Sequence, residues 1–558
     1  MKDLKKYISI AFALFVSGMT MTSCDDFLTE DPKSYIKPET FYSTKTEVEI
    51  GLAGMYSVLA SDNVFGQALI QFDAGADEGY YNRRGNDNWS VSLYRHTASD
   101  VSIANLWAAL YNSINLANLF MENLSTGFPE DEYNRYLAEA RFIRGFSYLN
   151  LTSWFEEVPI RKESSKDQSY NHVEAASLAE IYDFIKDDLL FAAEYLYHSN
   201  DKEYTPGRAN KMAAHGLLAR MYLKRAGYPL QDKSAYKLAR EHCDIIMTDG
   251  WHDLMQESNG ENGYRRHFLN YVQNTYDTKE SLFEISFGYL RQMGLMVNGR
   301  VGGLNGLRFI LAGGTEGPSS YSMLNASPVL TNSYDDSDVR KAWNVPGMQY
   351  NEGNIARQGL LEAFYCPGKF RRWEPQDYND IDIPNQGKRE SYILLEKASE
   401  QNYNFTCVNS PVLRYSDVLL MFAEADNEVN DGPSQAAIDA LDKVRNRAGL
   451  PDADAGITGS KEAFFNELVI ERMRELCFEG IRRHDLVRWG KLKERLDYQK
   501  TVIQGTAGFV ATNDQHVSYL RSANNFNPAK HLSLPYPLQE VTINKKLNQK
   551  PEWAGSDK

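Results

Sequence analysis

LAEIYDFIKDDLLFAAEYL, residues 178–196, puts Leu178, Ile181, Ile185, Leu189, Ala192 and Leu196 at steps of three, four, four, three and four. Those steps follow one face of a 3.6-residue turn, so the stretch reads as an amphipathic helix with a single apolar stripe. Upstream, Ala138, Phe142, Phe146 and Leu149 repeat in the same cadence and predict a partner helix. A second pair follows, with Ala214, Leu218 and Met221 on one helix and Ala235, Ala239, Cys243 and Ile246 on the next. Gly227 and Pro229 lie between them and stop the first. A third pair comes far downstream. Val418 to Ala425 lies on its first helix, and Ala437, Leu441, Val444 and Ala448 on its second, closed by Gly449 and Pro451.

Small residues at these crossings let helices approach closely, and the cadence resembles tetratricopeptide-type hairpins with long insertions. Such hairpins are a scaffold and do not by themselves name a function. Between about 251 and 411 the helical pattern fades. Ser281 to Phe287 alternates like a short strand, with Phe283, Ile285 and Phe287 on one face. Nine glycines fall between 288 and 317, interspersed with Arg291, Arg300 and Arg308. A second loop-like stretch, Gly75 to Asp100, carries Tyr80, Tyr81, Arg83, Arg84, Trp89 and Tyr94. Long irregular segments of this kind are usually functional or disordered, and the aromatic content argues for ordered loops.

The chain starts with a basic segment (Lys2, Lys5, Lys6), an apolar run over 7–19, and Thr22-Ser23 before Cys24. This is the build of a secretory signal, too short to span a bilayer stably. A cysteine directly after the small residues resembles the lipid acceptor of bacterial lipoproteins; the alternative is a plain signal that ends near a cysteine. The expected organisation is a removable signal at 1–23, a lipidated tether at 24–40 and one domain over 41–558. Asp25-Asp26 resembles an export address to the cell exterior, and also suits a solvated tether. The signal holds three Lys and one Asp, so its removal takes the formal charge from −15 to −17. That argues against nucleic acid or anionic lipid as a partner. Four further cysteines (243, 366, 407, 477) form no C-x-x-C pair, so neither a disulfide framework nor a thiolate metal site is expected.

Catalytic and cofactor motifs are not found. There is no phosphate loop, zinc helix or nucleophile elbow. GRVGGLNG (299–306) has the wrong spacing for a dinucleotide fingerprint, and DADAG (452–456) places its Gly too early for a calcium loop. The histidines show no ligand-like spacing, so no metal and no cofactor are expected. Asp77 beside Glu78 could be a glycosidase pair, but a solvated or structural role is the simpler reading. In IERMRELCFEGIRRHDLVRWGKL (470–492), Glu471 with Arg474, Glu475 with Arg472, Arg482 with Asp485 and Asp485 with Arg488 stand at helical pairing distances. They read as ion pairs around a helix end, with Trp489 packed down.

That same segment is similar to the C-terminal signature of the SusD/RagB family, outer-membrane nutrient-binding lipoproteins of the Bacteroidetes. LWAALYNSINLAN (106–118), AEARFIRGFSYLNLTSWFEEVP (138–159), GRANKMAAHGLLARMYLKRAG (207–227), LRYSDVLLMFAEADNE (413–428), VRNRAGLP (444–451) and LPYPLQEVTIN (534–544) resemble the family's segments in order. The resemblance implies a mostly α fold of about four tetratricopeptide-like hairpins, with a loop-rich insertion forming the ligand face. It implies a non-catalytic protein that binds glycans, or in some members peptides. It also implies a partner, a SusC-like TonB-dependent barrel in the outer membrane, over which the lipoprotein sits as a lid. Aromatic faces cover the apolar side of sugar rings while Arg and Asn bond hydroxyls. Tyr80, Tyr81, Arg83, Trp89, Tyr289, Arg291, Arg308 and Tyr321 are the ligand-contact candidates, each with loop packing as its alternative. A surface glycoside hydrolase is the reading from a different class.

Overall fold

The computed structural model describes residues 41–81, 90–290, 295–297, 299–311, 318–352, 354–362, 365–377, 392–397 and 405–555. The predicted helices form where the apolar stripes place them, and two more precede them. Helix α1 spans Lys45–Leu59, α2 Val101–Asn123, α3 Glu130–Phe155, α4 Leu178–Tyr195, α5 Lys211–Ala226 and α6 Ala235–Met247. Local chemistry sets their ends. Ser177 and Glu180 form a reciprocal capping box at the start of α4, as Thr44 and Glu47 do for α1. Gly227 caps α5. Every residue of the stripe quoted for 178–196 is buried.

Each of these helices packs on the next, from α1 through to α6. The helix α7, Gly263–Val272, follows α6 and precedes the insertion. The array resumes with α8 (Tyr415–Val429), which packs on α6 across the insertion, and α9 (Gln435–Arg447) packs on α8. Four hairpins result: α1 with α2, α3 with α4, α5 with α6, α8 with α9. Helices α10 (Lys461–Leu476) and α11 (Arg482–Arg488) close the core, with α10 against α8. The four cysteines beyond Cys24 are buried, and among the described residues they form no disulfide. Among the described residues no helix is long and apolar enough to cross a membrane.

Short strands form small sheets, and all but the first belong to the insertion or its clasp. Strand β1 is Gly79–Tyr81, β2 Ser281–Ile285, β3 Gly288–Leu290, β4 Leu295–Val297, β5 Phe309–Ile310 and β6 Leu324–Ala326. After them come β7 (Met348–Asn351), β8 (Asn354–Arg357), β9 (Trp373–Pro375), β10 (Tyr392–Leu394) and β11 (Ser410–Arg414). The strand read at 281–287 is β2, but all five of its residues are buried, so neither face meets water. It pairs antiparallel with β11, Ser410 opposite Ile285 and Arg414 opposite Ser281. The insertion therefore leaves and re-enters the scaffold at one two-stranded clasp. Helix α5 lies against that clasp at Gly216, where a Cβ would collide with the Leu413 side chain.

Candidate functional site

The two loop-rich stretches singled out in the sequence, about 240 residues apart, are one region in space. Strand β1 pairs antiparallel with β6, Gly79 opposite Ala326 and Tyr81 opposite Leu324. A bridge between Phe309 and Ser320 brings the β5 segment alongside the chain entering β6. One residue back from that bridge on each side stand Arg308 and Tyr321, so antiparallel register places them opposite each other. Both are half-buried. Gly303 O accepts from Tyr321 N (2.8 Å) and Arg308 O accepts from Tyr350 N (3.0 Å), so the backbone holds both in place.

Two candidates are corrected. Tyr80 and Tyr81 are 1 % and 2 % exposed. Tyr80 packs on Tyr519 with ring centroids 4.2 Å apart, beside Ile503 and Leu520, while Tyr81 joins the main core. The short strand β1 is covered on both faces, so its tyrosines hold the root of the loop and offer no ring face to a ligand. Tyr289 lies on β3 opposite Met296. Arg83, Trp89 and Arg291 fall outside the described residues.

Beneath this region lies a buried charge lattice built from the C-terminal signature. Arg482 Nε and Nη2 donate to the two oxygens of Asp77 (2.7 and 2.9 Å), and Arg495 adds a third bond (2.6 Å). Burial raises the Asp77 carboxyl, yet these guanidiniums outweigh it and hold it below its ordinary range. Glu78 is different: burial drives its pKa well above normal, and Phe478 N donates to it (2.7 Å). The pair is structural, as the simpler reading had it, but buried rather than solvated. Of the predicted helical pairs, Glu471 with Arg474 (3.4 Å) and Asp485 with Arg488 (2.8 Å) form. Arg472 instead bonds Asp417 (2.8 Å) and Asp485 (2.7 Å), and Arg482 bonds Asp77, because partners on other elements face them in the interior. Trp489 packs edge-on against Phe465 and donates Nε1–H to Glu424 (2.8 Å).

One cluster invites both an enzymatic and a metal reading. Ser199 Oγ is 3.1 Å from His252 Nε2, and His252 Nδ1 meets Asp249 Oδ2, the bond order of a hydrolase triad. Ser199 is only 5 % exposed, so no substrate carbonyl reaches its hydroxyl. His198, Asp249 and His252 also converge closely enough to share an ion. However, Asn200 N donates to His198 Nδ1 (3.1 Å), which leaves a neutral ring's proton on Nε2, facing Asp249 Oδ2 at 3.0 Å. The lone pair an ion would need is turned away from it. The donor set fits a hydrogen-bonded clasp better than a metal centre.

The site is thus a helical-hairpin scaffold that carries an arginine and a tyrosine on backbone-braced loops, above a core of paired acids and bases. A model of the SusD family matches residues 330–553, and one described as starch-binding and associating with the outer membrane matches 26–223. The chain belongs to the SusD/RagB family. It is 26 % identical to SusD-like protein P25 of Formosa agariphila over 96 % of both chains. It is 25 % identical to the starch-binding protein SusD of Bacteroides thetaiotaomicron, over 70 % of this chain and 71 % of that one. The crystal structure of a SusD homolog from Bacteroides thetaiotaomicron superposes with a TM-score of 0.78 at 26 % identity, covering 92 % of this chain and 98 % of its own.

Proposed function

We propose that this protein captures oligosaccharides at the outer surface of the cell and passes them to a SusC-like TonB-dependent barrel beside it. The reading is supported by the register that sets Arg308 opposite Tyr321 a few residues before the strand where the two loop-rich stretches pair, within a family whose relatives include a starch-binding protein. An aromatic ring beside a guanidinium suits a sugar, since the ring covers C–H surface while the cation bonds hydroxyls. Tyr289, Arg83, Trp89 and Arg291 remain proposed ligand contacts.

Calorimetric titration of the mature protein with malto-oligosaccharides and β-glucan oligosaccharides tests this. Saturable heat is expected from at least one series, and an Arg308→Ala/Tyr321→Ala double variant should bind about tenfold more weakly, the cost of one charged hydrogen bond. Heat from peptides alone would move the reading to a peptide-uptake system. Release of reducing ends by the protein would make it a hydrolase.

Cys24 anchors this role as the lipid acceptor, with Asp25-Asp26 as part of the outward address. A Cys24→Ala variant should leave the membrane fraction and still bind the same saccharide with unchanged affinity. Retention at the cell surface would show that the anchor lies elsewhere.

A further inference from the structure

Two adjoining concavities of about 460 and 180 Å³, lined by neither Arg308 nor Tyr321, share Glu49 and Arg208 in their walls. The larger one is bounded by α1, by the turn 206–208, and by the segment leading out of β2 as far as Gly288. Its wall includes Tyr276, which is 39 % exposed although its ring is fixed. The Tyr276 hydroxyl is 2.7 Å from Ser286 Oγ. The ring also lies against Gly207, whose φ of +89° and lack of a side chain permit the contact, since a Cβ there would sit 2.8 Å from the Tyr276 hydroxyl. An aromatic ring held at its edge and seated on a glycine, yet open to water, is a platform without an occupant among the described residues.

The polar groups around it have capacity to spare. Arg208 donates Nε and Nη2 to Glu139 (2.8 and 2.6 Å) and Nη1 to Glu49 Oε2 (2.6 Å), using three of five guanidinium donors. Among the described residues the second oxygen of Glu49 accepts no hydrogen bond, and that side chain is 51 % exposed. Leu52, Ile285 and Phe287 supply apolar wall between these groups. A ring platform, an apolar floor and a donor–acceptor pair on one rim match a pyranose, which has an apolar C–H face and a hydroxyl edge. The volume suits one or two rings. The cleft ends at Gly288, the first residue of β3.

We propose that this groove is a second saccharide subsite, with Tyr276 as platform and the Arg208–Glu49 pair bonding hydroxyls of the same chain held at the loop face. The inference rests on the oligosaccharide reading above. A length series of malto- and β-glucan oligosaccharides, from disaccharide to heptasaccharide, is titrated into wild type, Tyr276→Ala and Tyr276→Phe. Tyr276→Ala should bind the longest chains about three- to tenfold more weakly, as expected for one lost ring contact, and leave disaccharide affinity unchanged. Tyr276→Phe keeps the ring and should stay within about twofold. Equal affinities for wild type and Tyr276→Ala at every length would remove the subsite and leave the main reading standing. An equal loss at every length would make the groove the primary site and overturn its secondary role. No binding of either series to wild type would bring down both readings.

Discussion

Glu475→Gln should cost about 3–5 kcal/mol of folding stability, the penalty of removing one partner from a buried ion cluster. Glu475 lies on α10 with no exposed surface, and three arginines converge on it. Arg340 Nη1 donates to Oε2 (3.1 Å), and Arg414 Nη1 (3.0 Å) and Arg447 Nη2 (2.5 Å) donate to Oε1. Arg340 also bonds Asp338 and Glu471, and Arg414 bonds Glu479, so the cluster ties the insertion, β11, α9 and α10 together. Burial alone would raise the Glu475 carboxyl, but Arg447, Arg414 and Arg340 outweigh it and hold it far below its usual range. The neutral amide keeps the shape and leaves the cations short of one charge. Denaturant unfolding monitored by tryptophan fluorescence reads the effect, and a midpoint equal to wild type would show that the cluster contributes little. A neighbouring buried carboxylate gives the acid limb of stability. Asp485, raised by burial but drawn down to about 2 by Arg472 and Arg488, stabilises the fold above the unfolded carboxylate range and loses that contribution as pH falls toward 2. Wild type should therefore lose stability progressively as pH falls from about 4 toward 2, read as a falling denaturant midpoint.

Glu284→Gln should act in the opposite direction, adding about 2–3 kcal/mol at pH 8 and little at pH 5. Glu284 sits in β2 at 4 % exposure, and burial lifts its pKa to about 7. Bonds from Ser281 Oγ and from Asn409 Nδ2 (2.7 Å) favour the carboxylate without offsetting that burial. Between the unfolded carboxyl value near 4.5 and about 7, the folded state holds the proton more tightly. Stability therefore falls as pH rises through that window, and the cost stays constant above it. The amide carries no such cost and retains hydrogen-bonding capacity toward both neighbours. Unfolding free energies of wild type and variant at pH 5, 6, 7 and 8 measure it; parallel pH profiles would refute the assignment.

The scaffold was legible because its information is local. The stripes at 138–149, 178–196, 214–246 and 418–448 needed only a 3.6-residue period, and all became packed helices. Helix α1 has Val48, Leu52, Met55 and Leu59 in the same cadence and a capping box at Thr44, signals that were present but not read as a helix. The ligand face was legible only in outline. Composition marked both loop-rich stretches, but only pairing of β1 with β6 shows that they meet, and a three-residue strand has no pattern to announce its partner. For the same reason Tyr80 and Tyr81 looked like loop aromatics: with neighbours Tyr519 and Leu324 distant in sequence, nothing nearby reported their burial. Arg482 paired with Asp77 across 405 positions, which helical spacing cannot foresee. The groove at Tyr276 was missed because its parts come from four separate segments, none with a motif.

The β2–β11 clasp has a consequence for how such a protein can change. It fixes the two ends of a long excursion side by side, so the chain between them is a closed loop whose ends never need to be brought together again. The entropy of closing a flexible loop grows only with the logarithm of its length, about 0.6 kcal/mol per doubling. Loops between Ile285 and Ser410 can then lengthen, shorten or change at small cost to the helical array, provided the Arg340 and Lys369 bonds to the 471–479 segment are kept. One supporting frame can thus carry many different receptive surfaces, each drafted between the same fixed points.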